Sequence, residues 1–229
     1  MKPILLFILC FSVISCGKEK VIQLPEIEHS EITEINDVSA AYLFYDETQP
    51  DSVELNRKNL ISTTNWLVNI DKRLTLKQVI PHIQFLQEKK KNSSHKNKNA
   101  KNYFTCNDIS LKNLGFIEFT DVVYRNEIAS NYFSKTSNIP QKQMFGVVIH
   151  SINDIEITDY NQKLITKTSN LTHLLPDLNT IFINKQKEFE IFLNFNQNLA
   201  FQDYIAIKSK LSESELQNVS IAKDEFIYN

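Results

Sequence analysis

Residues 189–211 read FEIFLNFNQNLAFQDYIAIKSKL, and this stretch has the clearest secondary-structure pattern of the chain. Phe189–Phe195 is dense in aromatic and β-branched residues, which favour strands. From Leu199 to about Leu211 apolar residues recur at helical spacing, so a helix follows the strand directly. A strand followed by an amphipathic helix indicates a mixed domain in which helices cover one face of a sheet.

The same kinds of pattern extend in both directions from this stretch. We expect further strands at Ala40–Tyr45, Asn65–Ile70, Tyr103–Cys106, Phe145–His150, Asp154–Thr158 and Val219–Ile227. Thr75 and Gln78 have capping-box spacing, so Thr75 is the predicted N-cap of a helix that Pro81 bends. Helices are also expected at 116–128 and 170–182.

The two halves of the chain carry matching helix patterns. Leu76-x-x-Val79-Ile80-Pro81 aligns with Leu171-x-x-Leu174-Leu175-Pro176, and Phe119-Thr-Asp121 aligns with Phe201-Gln-Asp203. Lys89–Lys101 accounts for the difference in spacing between the two matches. The pattern predicts an α+β fold of two tandem β-α-β-α(-β) units, residues 38–137 and 141–229, with helices packed on one face of small sheets.

The N-terminus has the pattern of an export signal. Lys2 precedes an apolar run, Ile4–Ile14, which is too short to cross a bilayer. Val13-Ile14-Ser15-Cys16-Gly17 resembles the lipobox of bacterial lipoproteins. That resemblance implies removal of residues 1–15, acylation of Cys16 and attachment to the membrane through lipid; an ordinary secretory signal with an incidental cysteine is the alternative. Residues 16–37 are then the lipidated cysteine and an acidic tether.

Gly17 follows the cysteine at a position where aspartate signals inner-membrane retention in enteric bacteria, so we expect the outer membrane of a Gram-negative cell, on its periplasmic face or the cell surface. Cys106 is then the single free thiol, and no disulfide holds the fold together. The formal net charge of −2 gives no global field that would gather nucleic acid.

The two units resemble the periplasmic domain of the ExbD/TolR family of biopolymer-transport proteins. Three patterns match: a strand that ends in an Asn/Asp turn, an aromatic-x-Asp-Val/Ile helix after it, and the stretch Val21–Glu26 (VIQLPE). The strand and helix residues of the two copies are Phe104, Asn107, Asp108, Phe119, Asp121, Val122, Val123, Phe195, Asn196, Phe201, Asp203 and Ile205. The likeness covers residues 21–229 as two copies. It implies binding of peptidoglycan or of an extended protein segment. The family's acidic transmembrane helix is replaced here by the lipoprotein signal.

Motifs for catalysis are scarce. Three glycines, Gly17, Gly115 and Gly146, cannot build a phosphate-binding loop. The five histidines lack metal-ligand spacing, so neither a metal nor a cofactor is expected: His29, His82, His95, His150, His173. Cys106 is expected to be a buried apolar residue. We interpret Asp121 and Asp203 as charges at helix starts.

Two groups of residues leave alternatives open. The lysine-rich segment Lys89–Lys101 is expected to be a solvated loop, with an anionic surface as the alternative partner. Trp66 with Tyr42, Phe44 and Tyr45 forms either core or a sugar-stacking platform. The expected function is a lipid-anchored, non-catalytic envelope module. The alternative is an envelope hydrolase that uses carboxylates such as Asp108 and Glu118.

Overall fold

The computed structural model describes residues 20–135, 143–162, 164–183, 187–213, 216 and 218–229. Within these ranges four α-helices and twelve strands form two six-stranded sheets, so the predicted α+β class with two tandem sheet units is confirmed. Cys16, the signal segment and the connector at 137–140 lie outside the described residues. No helix in the described ranges is long and apolar enough to cross a membrane.

The first sheet is built from a parallel centre with antiparallel additions. Its elements are β1 (Glu26–Ile27), β2 (Val38–Tyr45), β3 (Val53–Asn56), β4 (Asn65–Ile70), α1 (Leu76–Lys91), β5 (Asn102–Asp108) and β6 (Asn113–Glu118). β2, β4 and β5 run parallel in that spatial order, because α1 carries the chain from β4 back to the start of β5. β3 and β6 pair antiparallel with β2 and β5.

The second sheet repeats this parallel centre. Its elements are β7 (Val123–Arg125), α2 (Ala129–Lys135), β8 (Gln143–Ser151), β9 (Asp154–Asp159), β10 (Leu164–Ser169), α3 (Leu174–Phe182), β11 (Phe189–Asn196), α4 (Phe201–Ser212) and β12 (Val219–Tyr228). The spatial order is β10-β9-β8-β11-β12-β7. β8, β11 and β12 are parallel, and α4 connects the last two.

The predicted alignment of the two halves is wrong. Pro81 lies in α1, which joins two neighbouring parallel strands, whereas Pro176 lies in α3, which joins the edge strand β10 to β11. The expected helix at 116–128 is absent, since β6, a turn at Asp121 and β7 occupy that range. Asp203 is in α4. The aromatic and valine residues that suggested a helix at 116–128 belong to β6, to the turn after it and to β7.

The structural repeat pairs β4-α1-β5 with β11-α4-β12, with an offset of 125 residues through the first strand and the helix. At this offset four pairs of buried residues are identical: Asn69 and Asn194, Leu74 and Leu199, Ile80 and Ile205, Leu86 and Leu211. The capping box at Thr75 is present, with its backbone N–H donating to Gln78 Oε1 at 2.8 Å, and α1 continues past Pro81 to Lys91.

The two units meet at the starts of α1 and α4 through reciprocal backbone hydrogen bonds. Leu76 N donates to Leu199 O at 2.9 Å, and Phe201 N donates to Leu74 O at 2.6 Å. One residue further on, Lys77 N donates to Gln197 O at 2.8 Å, and Gln202 N donates to Lys72 O at 3.2 Å. Each helix thus satisfies two free N–H groups of its first turn on the other unit, in an approximately two-fold arrangement.

A single hydrophobic core runs through both units. Alternate residues of β4, β5, β8 and β11 point into it, together with the buried faces of α1, α3 and α4. The outer face of the second sheet is covered separately by α2, whose Ala129 packs with Phe192 and Phe226. Because the main core is shared, the two units are expected to unfold together.

The predicted tether is, from Lys20 on, part of the first unit. Pro25 O and Ile27 O accept hydrogen bonds from Asn107 N and Ile109 N, and Ser30 N donates to the buried Asp108 at 2.8 Å. Regularly spaced apolar residues among the acids explain the difference, since Ile27 is only 3% exposed. β6 ends at Glu118 in the first sheet, and β7 begins at Val123 in the second. Residues 123–135, predicted for the first unit, therefore belong to the second, with β7 in its sheet and α2 packed on it.

Candidate functional site

The carboxylates named for the hydrolase alternative are not brought together. In the antiparallel register of β5 and β6, Glu118 lies opposite Tyr103, five residues from Asp108, which is a separation of roughly 17 Å at 3.4 Å per residue. Asp108 is buried and accepts hydrogen bonds from Leu111 N, Ser110 Oγ and Ser30 N, and these keep its pKa below the usual value. Glu118 pairs with Lys101.

Cys106 and the histidines are dispersed. Cys106 is fully buried in the core, and burial raises the pKa of its thiol to about 12, so the thiolate is disfavoured at neutral pH. His150 Nδ1 is 2.7 Å from the hydroxyl of Tyr228, and His29 lies 3.6 Å from Asp108. In the described part of the chain, no three His, Cys, Asp or Glu side chains are grouped to hold a metal ion.

The aromatic residues expected to form either core or a sugar-stacking platform do not share one environment. Trp66 is 1% exposed and belongs to the core. Tyr42 and Phe44 point to the outer face of the first sheet, half-buried, with ring centroids 5.8 Å apart and nearly parallel planes. Tyr45 packs beneath the guanidinium of Arg73, 4.6 Å from its ring. Of the two alternatives, Trp66 therefore follows the first and is a core residue.

The two aspartates differ in their surroundings. Asp121 lies in the turn after β6 and pairs with Lys223 at 2.6 Å, so no helix start is involved. Asp203 does lie in the first turn of α4, but burial raises its pKa. They therefore share neither an element nor a role.

A buried polar network that the sequence did not reveal joins β7, α4 and β12. The hydroxyls of Tyr124 and Tyr204 are 3.2 Å apart, and Tyr204 donates to Glu225 at 2.7 Å. Lys208 pairs with the same carboxylate. Burial raises the pKa of both tyrosines well above the usual value. Since every group has a partner, the network stabilises the packing of α4 on β7 and β12 within the second unit.

Most sheet edges are closed by specific hydrogen bonds. Beside β7, Gln84 and Gln87 of α1 donate to Tyr124 O and Val122 O at 3.1 and 2.9 Å. Gln202 bonds both backbone groups of Glu26 in β1 at 2.8 Å. In β6, Phe116 N donates to Ile32 O at 3.0 Å. These contacts leave few backbone groups for another chain to reach.

The edge strand β10 is more exposed than these edges and than β3, the edge strand beside β2, whose residues are buried or half-buried. Five of its six residues, Leu164–Thr168, are exposed, with Leu164 at 58% and Ile165 at 51%. Among the described residues β9 is its only strand partner. Lys167 is paired with Asp177 at 3.2 Å, so the strand carries no free charge of its own.

The register determines which backbone groups of β10 are available. Tyr160 N donates to Met144 O, so alternate β9 residues bond β8 and the others face β10. Those others, Asp159, Ile157 and Ile155, pair with Leu164, Lys167 and Ser169 across a bulge. The N–H and C=O groups of Ile165 and Thr168 are therefore directed outward. The Leu-Ile-Thr-Lys-Thr run has strand propensity, which indicates a strand at this position but not its place at an edge.

In comparisons with known proteins, the chain has no significant match to a family model, a curated protein or a solved structure. The candidate binding edge therefore rests on the geometry of β10 and its neighbours.

Proposed function

We propose that this protein is a lipid-anchored, non-catalytic binding module of the cell envelope, in which β10 receives an extended segment of a partner protein as an added strand. Lipid on Cys16 holds the module at the outer membrane of a Gram-negative cell. The observation that supports the proposal is the exposed edge of β10, which contrasts with the hydrogen-bonded edges of β1, β6 and β7.

Strand addition uses the chemistry that β10 leaves free. A partner segment would exchange hydrogen bonds with the outward backbone groups of Ile165 and Thr168, each contributing about 0.5–1.5 kcal/mol net. Leu164 and Ile165 would be covered by apolar partner side chains, adding hydrophobic stabilisation. The expected partner is a segment without regular structure that presents apolar side chains on both faces of its strand, because Leu164 and Ile165 point to opposite faces.

The resemblance to ExbD/TolR periplasmic domains, whose strand-turn-helix pattern is present at 195–205 and absent at 104–123, also supports a binding role. Its implied roles are holding peptidoglycan or an extended protein segment, and β10 suits the second of these. The alternative function, an envelope hydrolase, gains no support from the separation of Asp108 and Glu118.

A pair of substitutions at Thr168 tests the proposal. Thr168→Pro removes an outward N–H at an edge position where proline is tolerated, whereas Thr168→Val keeps the N–H and nearly the same shape. Each protein is used to capture partners from envelope extract, and binding to isolated peptidoglycan is measured by sedimentation.

We expect the wild type and Thr168→Val to retain one protein that Thr168→Pro does not, with similar melting temperatures for all three. Equal capture by both variants would contradict strand addition. Binding to peptidoglycan with no captured protein would favour a glycan-binding module instead.

A further inference from the structure

A second, independent surface lies at the junction of the units, on the side of α1. Its cleft has a volume of about 750 Å³ and is bounded by the C-terminal half of α1, the loop that follows it and the turn before β7. Four lysines line it, Lys90, Lys91, Lys96 and Lys98. We call this the lysine cleft. Its volume is in the range of ligand-binding clefts.

The lysines of this cleft lack acidic partners. Elsewhere lysines are commonly paired, for example Lys72 with Glu26 at 2.8 Å and Lys210 with Glu213 at 2.9 Å. No carboxylate of the described residues forms an ion pair with Lys91, Lys96 or Lys98, all of which are exposed. Glu88 and Asp121 are the acids of the lining, and Asp121 is neutralised by Lys223. The cleft therefore carries excess positive charge in a chain of net charge −2.

The loop that carries these lysines is held against the body, which differs from the free solvated loop expected from its composition. Ser62 Oγ donates to His95 O at 3.0 Å, and Asn97 Nδ2 donates to Thr63 O at 3.0 Å. At its end Lys101 N donates to Asn65 Oδ1 at 2.8 Å. Asparagine and serine side chains supply these bonds, so a segment without an apolar core still has a defined path.

Lys90 forms the floor of the cleft. Its ammonium donates to Lys101 O at 3.0 Å and to Asn102 Oδ1 at 2.8 Å, and it lies 5.0 Å from the ring centre of Trp66. It therefore serves to position the loop on α1. The other three lysines, Lys91, Lys96 and Lys98, can contact a ligand.

The rest of the lining points to the class of ligand. Gln84 and Gln87 donate hydrogen bonds from Nε2 to Tyr124 O and Val122 O respectively. Their Oε1 atoms can therefore accept hydrogen bonds from the hydroxyl groups of a ligand. The aromatic ring of the lining, Tyr124, is 5% exposed and cannot stack on a base. We propose that the lysine cleft binds an anionic glycan, with its negative groups at Lys91, Lys96 and Lys98 and its hydroxyls at the glutamines.

Two triple variants with the same change in charge test this site. Lys91→Gln, Lys96→Gln and Lys98→Gln together remove the free charges of the cleft. Lys58→Gln, Lys77→Gln and Lys112→Gln together remove three other exposed lysines that have no ion pair among the described residues. Binding is measured with polygalacturonate and dextran sulfate, which carry different anionic groups, and with neutral dextran, oligothymidine and phosphatidylglycerol vesicles.

We expect the wild type to bind at least one anionic glycan and not dextran, with affinity that falls steeply as salt is added. The cleft variant should bind about tenfold more weakly, and the control variant within about twofold of wild type. If both variants lost affinity equally, net charge alone would explain the binding, and the proposed site would be wrong. Tighter binding of oligothymidine or vesicles, or no binding of either glycan, would overturn the ligand class. None of these results depends on β10.

Discussion

Two asparagines at equivalent positions of the repeat give a prediction with an internal control. Asn194 is fully buried in β11, where its Oδ1 accepts from Ala129 N at 2.8 Å and its Nδ2 donates to Tyr160 Oη and Phe192 O, each at 3.0 Å. Asn69 is nearly as buried in β4 but donates only to Ala41 O, at 3.1 Å.

Replacing each by alanine should therefore have unequal effects. Asn194→Ala leaves the N–H of Ala129 buried without an acceptor, which costs about 1–3 kcal/mol, and removes two further bonds worth about 0.5–1.5 kcal/mol each, so the loss is about 3–4 kcal/mol. Asn69→Ala removes one such bond and should cost about 1 kcal/mol. At roughly 2–4 °C per kcal/mol for a chain of this size, the melting temperature falls by about 10 °C and 3 °C respectively.

Urea unfolding of the purified protein measures the difference. Trp66, the single tryptophan, reports on the first sheet, and far-ultraviolet circular dichroism reports on both sheets. Because the core is shared, the two signals should change together in all three proteins. Equal losses for the two variants, or a larger loss for Asn69→Ala, would refute the role assigned to the Ala129 bond. Separate transitions would refute the single core.

Three further predictions concern other parts of the chain. Cys16→Ala should abolish lipid incorporation, measured with a labelled fatty acid, and leave uncleaved precursor; processing at the normal rate would contradict the lipoprotein assignment. Gly146→Ala should lower stability by about 1–3 kcal/mol in urea unfolding, because its Cβ would lie 2.1 Å from Tyr160 Oη; an unchanged midpoint would show that the ring moves freely aside. Hydrogen bonds from Leu111, Ser110 and Ser30 lower the folded pKa of Asp108, so its stabilisation is present above the unfolded pKa and is lost as the pH falls through the folded value. Asp108→Asn should therefore weaken the acid dependence of stability below about pH 4, and an unchanged dependence would contradict this assignment.

The elements with strong patterns could be predicted from the sequence. Asn65–Ile70 was predicted with the observed bounds, and the helix after Thr75 begins where its capping box indicates. In both cases the local signal and the buried face agree, since the apolar residues of each element point into one core.

Features that depend on contacts between distant residues could not be predicted. The matched prolines Pro81 and Pro176 suggested that α1 corresponds to α3. The helix that corresponds to α1 is α4, because each of these two connects neighbouring parallel strands. The helix expected at 116–128 is absent because Phe116, Phe119 and Val122 match a helical spacing by chance, in a range where β6 ends and a turn leads to β7. The open edge of β10 depends on which neighbour is missing, and sequence patterns do not report this.

Pairing of an extended protein segment with β10 can be detected by photo-crosslinking in the cells that make the protein. A photoreactive residue at the exposed position Thr166 lies on the edge, and one at the exposed Leu111, in the turn between β5 and β6, serves as the control. We expect one discrete protein adduct from position 166, lost when Thr168→Pro is added and kept with Thr168→Val, and no such adduct from position 111. An adduct unaffected by Thr168→Pro, or the same adduct from both positions, would contradict pairing with β10.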